Sequence, residues 1–455
     1  MTHHGPERRQ ITTNPTEALA GFAAGIEHSS LPSAVQTRTV ALLIDALACA
    51  HLGRGGPETS RMEGLAADLG GSGNSTVIGA DHRHSLAGAT LINSYQMTAF
   101  NLCDVYRPAH CHLSPLVVAP ALAAAEHRQV SGAILLAALA AGFESACRVG
   151  SALDFDAFRE ASWHSPGVIG PFGGAAAVGV IHRLDAISMR NAFGLAGSQS
   201  AGTMAQWGTP TIKFHQSRGA LSGLLAGLLA SRGYEAGADV IAGEVGGILG
   251  NFSGGGSPEN LTDRLGEHWE LMNISLKRWP SGSGLQTTVS ALFDVVAEHD
   301  VKPTDIEQVR VILPVHAYRA HASMEWDDKF KAMLSARYIT SVILHDRNCW
   351  IDQFEDERRL DPEVDSFARE RVTVVEDGSL STSAARTEIQ LGDGSVLDDF
   401  RDGPKGDPAD PLDIAEIIEK YLEATLPRAS GEMVDQLTNL ADLDDVAPLI
   451  RRLGA

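Results

Sequence analysis

Four stretches of this chain gather side chains able to move protons or hold anions. The first is NLCDVYRPAHCHLSP (101–115), where His110 and His112 flank Cys111, with Asn101, Cys103 and Asp104 upstream. Three chemistries fit it: a metal site from Cys103, His110 and His112, a polar loop capping a helix that starts at Pro115, or an imidazole acid/base aimed into a cleft. The spacing matches no standard zinc pattern, and no C-x-x-C pair is present. The second is SWHSPGVIGPFGGAAAVG (162–179), which sets His164 just before Pro166 and a Gly-rich helix start. Small residues let a ligand approach and a helix N-terminus attracts anions, although a structural histidine reads the same way. In GTPTIKFHQSRGA (208–220), Lys213, His215 and Arg218 form either a carboxylate-binding group or a solvated basic turn. In LKRWPSGSGLQT (276–287), Lys277 and Arg278 precede a Pro/Gly/Ser loop where the composition changes. That is the mark of a domain junction, and junction clefts are favoured ligand sites.

The background makes these cations conspicuous. The 455 residues carry a formal net charge of -21, which excludes a basic nucleic-acid face and disfavours anionic membranes. An anionic ligand would therefore need locally concentrated positive charge. Five cysteines in so long a chain make no disulfide ladder and fit a reducing cytoplasm. Residues 1–14 are polar, with no apolar signal core. The longest apolar run, 133–143, is too short to span a bilayer and reads as a buried helix. There is no G-x-S-x-G elbow, Walker loop or H-E-x-x-H motif.

The elements that must position these residues fall into two groups. Helical periodicity marks 32–50, 85–100, 115–127, 131–149, 173–183, 187–200, 217–232 and 238–249. Several of these helices are apolar on more than one side, so they should bundle around a large interior. After Lys277 the pattern changes. One more helix (284–299) is followed by strands at 306–314, 371–376 and 385–391, a Gly-Asp-Gly-Ser turn, and a returning strand at 396–400. A helix at 333–346 lies between the first strand and the others. The expected fold is mainly α with an α+β second domain. A large all-helical bundle takes residues 1–275 and is completed by 405–455; a smaller α+β domain takes 276–404. In the closing segment Ile414, Ile417, Ile418 and Tyr421 share a face.

The motifs also occur in a familiar order: PLVVAPALAAAE (115–126), WHS (163–165), NAFGLAGSQSAG (191–202), K-x-H-x-x-R-G-A (213–220), KRWP (277–280), SARYITSVILHD (335–346) and GDPADPL (406–412). This succession resembles the MmgE/PrpD family, which includes 2-methylcitrate dehydratases, cis-aconitate decarboxylases and iminodisuccinate epimerases. The resemblance implies a helical domain and an α+β lid with the active site between them, a homodimer, and no metal or organic cofactor. The partner it implies is a small di- or tricarboxylate substrate. Carried over by motif, His164, Lys213, Lys277 and Tyr338 are catalytic, with His112 as the first-loop histidine by order and His110 as its alternative. Asn101, Asp104, His110, His215, Arg218 and Arg278 would bind substrate. The chain departs from the family in places. It has Asn101-Leu102-Cys103-Asp104-Val105 where D-F-D-D-T is common, and Ser281-Gly282 and Gln286 where histidines are common. The implied activity is a lyase moving a proton next to a carboxylate. Dehydration is expected first, decarboxylation second and epimerisation third, with a non-catalytic binding protein of the same fold as the contrasting class.

Overall fold

The computed structural model describes residues 14–70, 72–425 and 430–454. Of the N-terminal stretch read above as lacking a signal core, only Asn14 falls within them.

The helical domain forms because its helices carry few residues that tolerate water. Helix α1 (Ser33–Gly53) leads into α2 (Leu86–Thr98), a short strand β1 (Val105–Tyr106), then α3 (Ser114–Arg128) and α4 (Gly132–Ala152). The six-residue α5 (Phe155–Glu160) precedes α6 (Ser165–Ile181), and α7 (Ala186–Gly197) and α8 (Thr211–Ala230) follow. Strand β2 (Ile274–Ser275) closes the region. In α6 every residue but Val180 is buried, as befits a helix apolar all round. Helices α1 and α4 are long and apolar enough to cross a membrane. Their most apolar windows are 72% and 89% buried inside the protein, so they serve here as core helices.

Helices α6 and α8 meet through glycine. A Cβ placed on Gly223 would lie 2.7 Å from the Gly174 Cα and 2.8 Å from the Pro171 carbonyl oxygen, so the backbones touch. Gly223→Val is expected to force the two helices apart and to cost about 1–3 kcal/mol. The urea midpoint should fall with the slope unchanged; an unaltered midpoint would show that the seam can yield.

The second domain is α+β. Helix α9 (Gln286–His299) is followed by β3 (Ile306–Leu313), α10 (Val315–His321) and α11 (Ala336–Asp346). Strands β4 (Val372–Glu376), β5 (Ala385–Leu391) and β6 (Val396–Arg401) complete a sheet of order β4-β3-β5-β6. Only the β3–β4 pair is parallel. Helices α9 and α11 pack on the sheet, and the core holds Val309, Val311, Ile339, Val342 and Ile389. The same cluster takes in Leu91, Tyr95 and Phe100 of the helical domain, so the seam between the domains is itself apolar. The last long helix, α12 (Ile414–Thr425), returns to pack against α1.

Some expected elements differ in position. Helix α6 begins at Ser165 and α8 at Thr211, well before the residues that carry the strongest periodicity. The expected helix over 238–249 is instead mostly turns, with a short helix at Ile248–Ser253. Gly243, Gly246 and Gly247 explain this, because Gly246 adopts φ +76°, outside helical space. Of the expected face on α12, Ile417 and Tyr421 are buried, whereas Ile414 is exposed.

Candidate active site

A two-residue antiparallel ladder brings the first and fourth stretches together. Val105 pairs with Ser275 and Tyr106 with Ile274, so the loop before β1 and Lys277 just beyond β2 share one end of the ladder. Asp104 fixes the loop: its two carboxylate oxygens accept from the backbone N–H groups of Leu113 (2.9 Å) and Ser114 (2.8 Å) at the start of α3. The Lys420 ammonium fixes it from below, donating to the Leu102 carbonyl (3.2 Å), the Lys277 carbonyl (2.8 Å) and the Asp45 carboxylate (2.5 Å).

On this frame sit two buried lysines. The Lys277 Nζ donates to the Asn101 carbonyl at 2.9 Å. Asn101 is held at φ +54°, and its own side-chain nitrogen is buried with no hydrogen-bond partner. Lys213, from the first turn of α8, is only 5% exposed. Its Nζ donates to the Ala99 carbonyl and lies 4.3 Å from the centre of the Phe330 ring, across the domain seam. Burial lowers the Lys213 pKa to about 7. Burial also lowers that of Lys277, against the neighbouring Cys103 and Asp104.

The imidazoles around them are neutral at physiological pH. His112 donates from Nδ1 to the Asp104 carbonyl at 2.6 Å, which leaves Nε2 as an acceptor. Burial and the nearby Lys277 push its pKa well below the usual value. His164, at the start of α6, shares a hydrogen bond with His215 (Nδ1 to Nδ1, 3.1 Å), and burial lowers it to about 3. His110 takes a left-handed conformation (φ +44°) and stacks on Phe155 rather than joining His112. Cys103, His110 and His112 do not converge, and among the described residues no three His, Cys, Asp or Glu side chains group as metal ligands.

Several expected site residues are elsewhere. On a helix, Lys213 and His215 are about 200° apart, so they face opposite sides and form no single cationic cluster. Arg218 spends its guanidinium on the carbonyls of Gln199, Gly167 and Ala201 at 2.6–2.9 Å, tying α8 to the start of α6. Arg278 turns outward, 3.7 Å from Glu423, and lines a surface groove with Ile418 and Leu422. Tyr338 lies in the core of the second domain between Trp326 and Phe354, with its hydroxyl donated to the Gln353 carbonyl at 2.5 Å. Asp104 is a loop clamp, since its backbone donors occupy both of its oxygens.

Four residues escaped the sequence reading. Lys420 is one. His321, at the end of α10, donates from Nδ1 to the Leu334 carbonyl at 2.9 Å and turns Nε2 to the 282–284 loop. A Cβ on Gly282 would lie 2.5 Å from the His321 Cε1. The loop's missing histidine is thus matched by an imidazole from α10 that needs glycine there. Burial lowers His321 to about 4, with the Lys277 charge adding to the effect. The last two, Arg159 and His316, face each other across the domain seam. A histidine-bearing helix directly after a strand was the available signal for His316 and His321.

Comparison with known proteins covers nearly the whole chain. The MmgE/PrpD N-terminal domain matches residues 17–260 and the MmgE/PrpD C-terminal domain residues 279–442. The cis-aconitate decarboxylase of Aspergillus terreus is 28% identical, over 96% of this chain and 96% of its own. A cis-aconitate decarboxylase-like protein of Aspergillus oryzae is also 28% identical, over 94% and 93%. Human cis-aconitate decarboxylase is 27% identical, over 95% and 93%.

Proposed function

This chain belongs to the MmgE/PrpD family, and on that premise we propose that it is a carboxy-lyase for an unsaturated tricarboxylate of the cis-aconitate type. The sequence alone had put dehydration first. The relatives named as decarboxylases, similar along their full length, favour decarboxylation instead.

The observation that carries the reading is a buried lysine whose pKa lies near neutrality beside a second buried lysine. In such an acid two carboxylates sit on alkene carbons and one on a saturated arm. When the arm loses CO2, its C–C bond breaks and that electron pair forms a new C=C. The old π pair takes a proton at the far alkene carbon, so one proton is consumed for each CO2 released. The step needs an acid at that carbon and positive charge near the carboxylate where electron density accumulates. Lys213 as ammonium is the acid, because its pKa lies near working pH. His112 and His164 are neutral there and orient or accept hydrogen bonds. Lys277 and the unpartnered Asn101 amide supply the electrostatic stabilisation. Acid and charge both come from side chains, so the proposed reaction calls on no cofactor. The five cysteines, buried and unpaired, suit the cytoplasmic setting that belongs to the same reading.

The test is incubation with cis-aconitate in D2O, following CO2 and proton NMR. One CO2 and one carbon-bound deuterium per turnover are expected. Loss or gain of water without CO2 would replace this reading with the dehydratase one. The pH profile carries a sign. If protonated Lys213 is the acid, kcat/KM falls as pH rises through about 7; a rise through the same range would make the lysine a base.

A further inference from the structure

Arg159 lies on α5 in the helical domain and His316 on α10 in the second. The Arg159 Nη1 is 2.8 Å from the His316 Nε2, and its Nη2 is 2.8 Å from the Nδ1. A neutral imidazole has only one accepting nitrogen, so one of these contacts sets N–H against N–H. The mismatch has no internal remedy. Among the described residues no carboxylate lies within 4 Å of Arg159, and Asp156 is the one acid whose charge bears on it. The His110 ring stands edge-on to His316 with centroids 5.0 Å apart, and Phe155 carries both the His110 stack and the Arg159 cation, 5.6 Å away. Donors from three elements therefore crowd one place, with one accepting nitrogen on each imidazole and no carboxylate among them.

We propose that Arg159 and His316, flanked by His110, form a carboxylate-binding subsite at the domain seam that holds the substrate's central carboxylate, not the one lost. The inference rests on reading the cleft as a polycarboxylate site. The subsite is continuous with that cleft: the His110 carbonyl accepts from Ser165 Oγ at 2.8 Å, next to His164, and Lys277 acts electrostatically on His110. A guanidinium presents paired donors that match a carboxylate, and this one is pre-placed on a short helix. Burial, followed by Arg159, lowers His316 to about 4, and burial, followed by His316, lowers His110 to about 3. An anion between them would accept from the guanidinium and from an imidazole N–H, which removes the N–H against N–H contact. One ligand oxygen would then touch each domain, so carboxylate binding would favour the closed arrangement.

Binding is the readout, separate from turnover. Calorimetry with tricarballylate, a saturated tricarboxylate, is compared with glutarate, which lacks the third carboxylate, for the intact protein and for Arg159→Met and His316→Phe. The intact protein should prefer tricarballylate, and each variant should lose about tenfold or more of its affinity for it while binding glutarate within about twofold of the unaltered chain. Arg159→Lys should recover part of the preference. Variants that melt like the unaltered chain yet keep its full preference would overturn the subsite and leave the proposed function standing. If the unaltered chain binds neither acid, the polycarboxylate reading fails and takes the subsite with it.

Discussion

Lys213→Met is expected to abolish turnover and at the same time to stabilise the fold. The two effects have one cause. The ammonium is buried, its hydrogen bond goes to the Ala99 carbonyl, and it lies over the Phe330 ring without an ion pair. Burial therefore lowers its pKa to about 7. Between about 7 and the ordinary lysine value of about 10.4, the unfolded chain binds a proton that the folded one does not, so stability rises with pH across that window. Below about 7 the folded protein carries the full cost of a desolvated charge, on the order of a few kcal/mol. Methionine matches the stem and removes the charge. The Ala99 carbonyl loses a donor, at about 1 kcal/mol, which leaves a net gain. The gain should be largest at pH 6 and vanish near pH 10, read from melting curves across pH. Turnover should fall by about 10²–10⁴, the contribution of a positioned acid. A variant that melts lower at pH 6 and still decarboxylates would show that Lys213 is a structural residue.

What the sequence made legible followed periodicity and order. Helices such as α1 and α4, and the strand alternation of β3, depend on local spacing, so they read directly. The ordered motifs carried the family and with it the two-domain fold. Side-chain direction did not read. Lys277 and Arg278 are adjacent, yet one enters the cleft and the other turns to Glu423, because a backbone leaving β2 alternates its side chains. Lys213 and Arg218 looked like one cluster until α8 proved to start at Thr211, which put them on different faces. Tyr338 carried the family motif, but its hydroxyl is taken up by Gln353 in the second domain's core. His321 and Arg159 were invisible because their meaning depends on which residue faces them across the domain seam. Lys420 lies 143 residues from Lys277 along the chain and is joined to it only by the return of α12.

That return should be the most sensitive point in the molecule outside the reacting groups. Lys420 and Asp45 are both fully buried, and the ammonium's three hydrogen bonds all go to groups that shape the site. Burial works to lower the Lys420 pKa, but the Asp45 carboxylate outweighs it, so the ammonium stays charged. Lys420→Met leaves Asp45 buried without its cation and is expected to cost about 3–5 kcal/mol of stability, read as a lower urea midpoint. Asp45→Leu should cost a similar amount by stranding the lysine. Asp45→Leu combined with Lys420→Met should cost much less than the sum, because neither charge is then left unpaired. Its activity should not return with its stability. The Leu102 and Lys277 carbonyls still lack the donor that holds the first loop against β2, and Lys277 is released from its position by the Asn101 carbonyl. A stable double variant with low kcat, little changed KM and tricarballylate binding intact would mark Lys420 as a positioning residue. A double variant as active as the unaltered chain would show the pair to be a matter of stability alone.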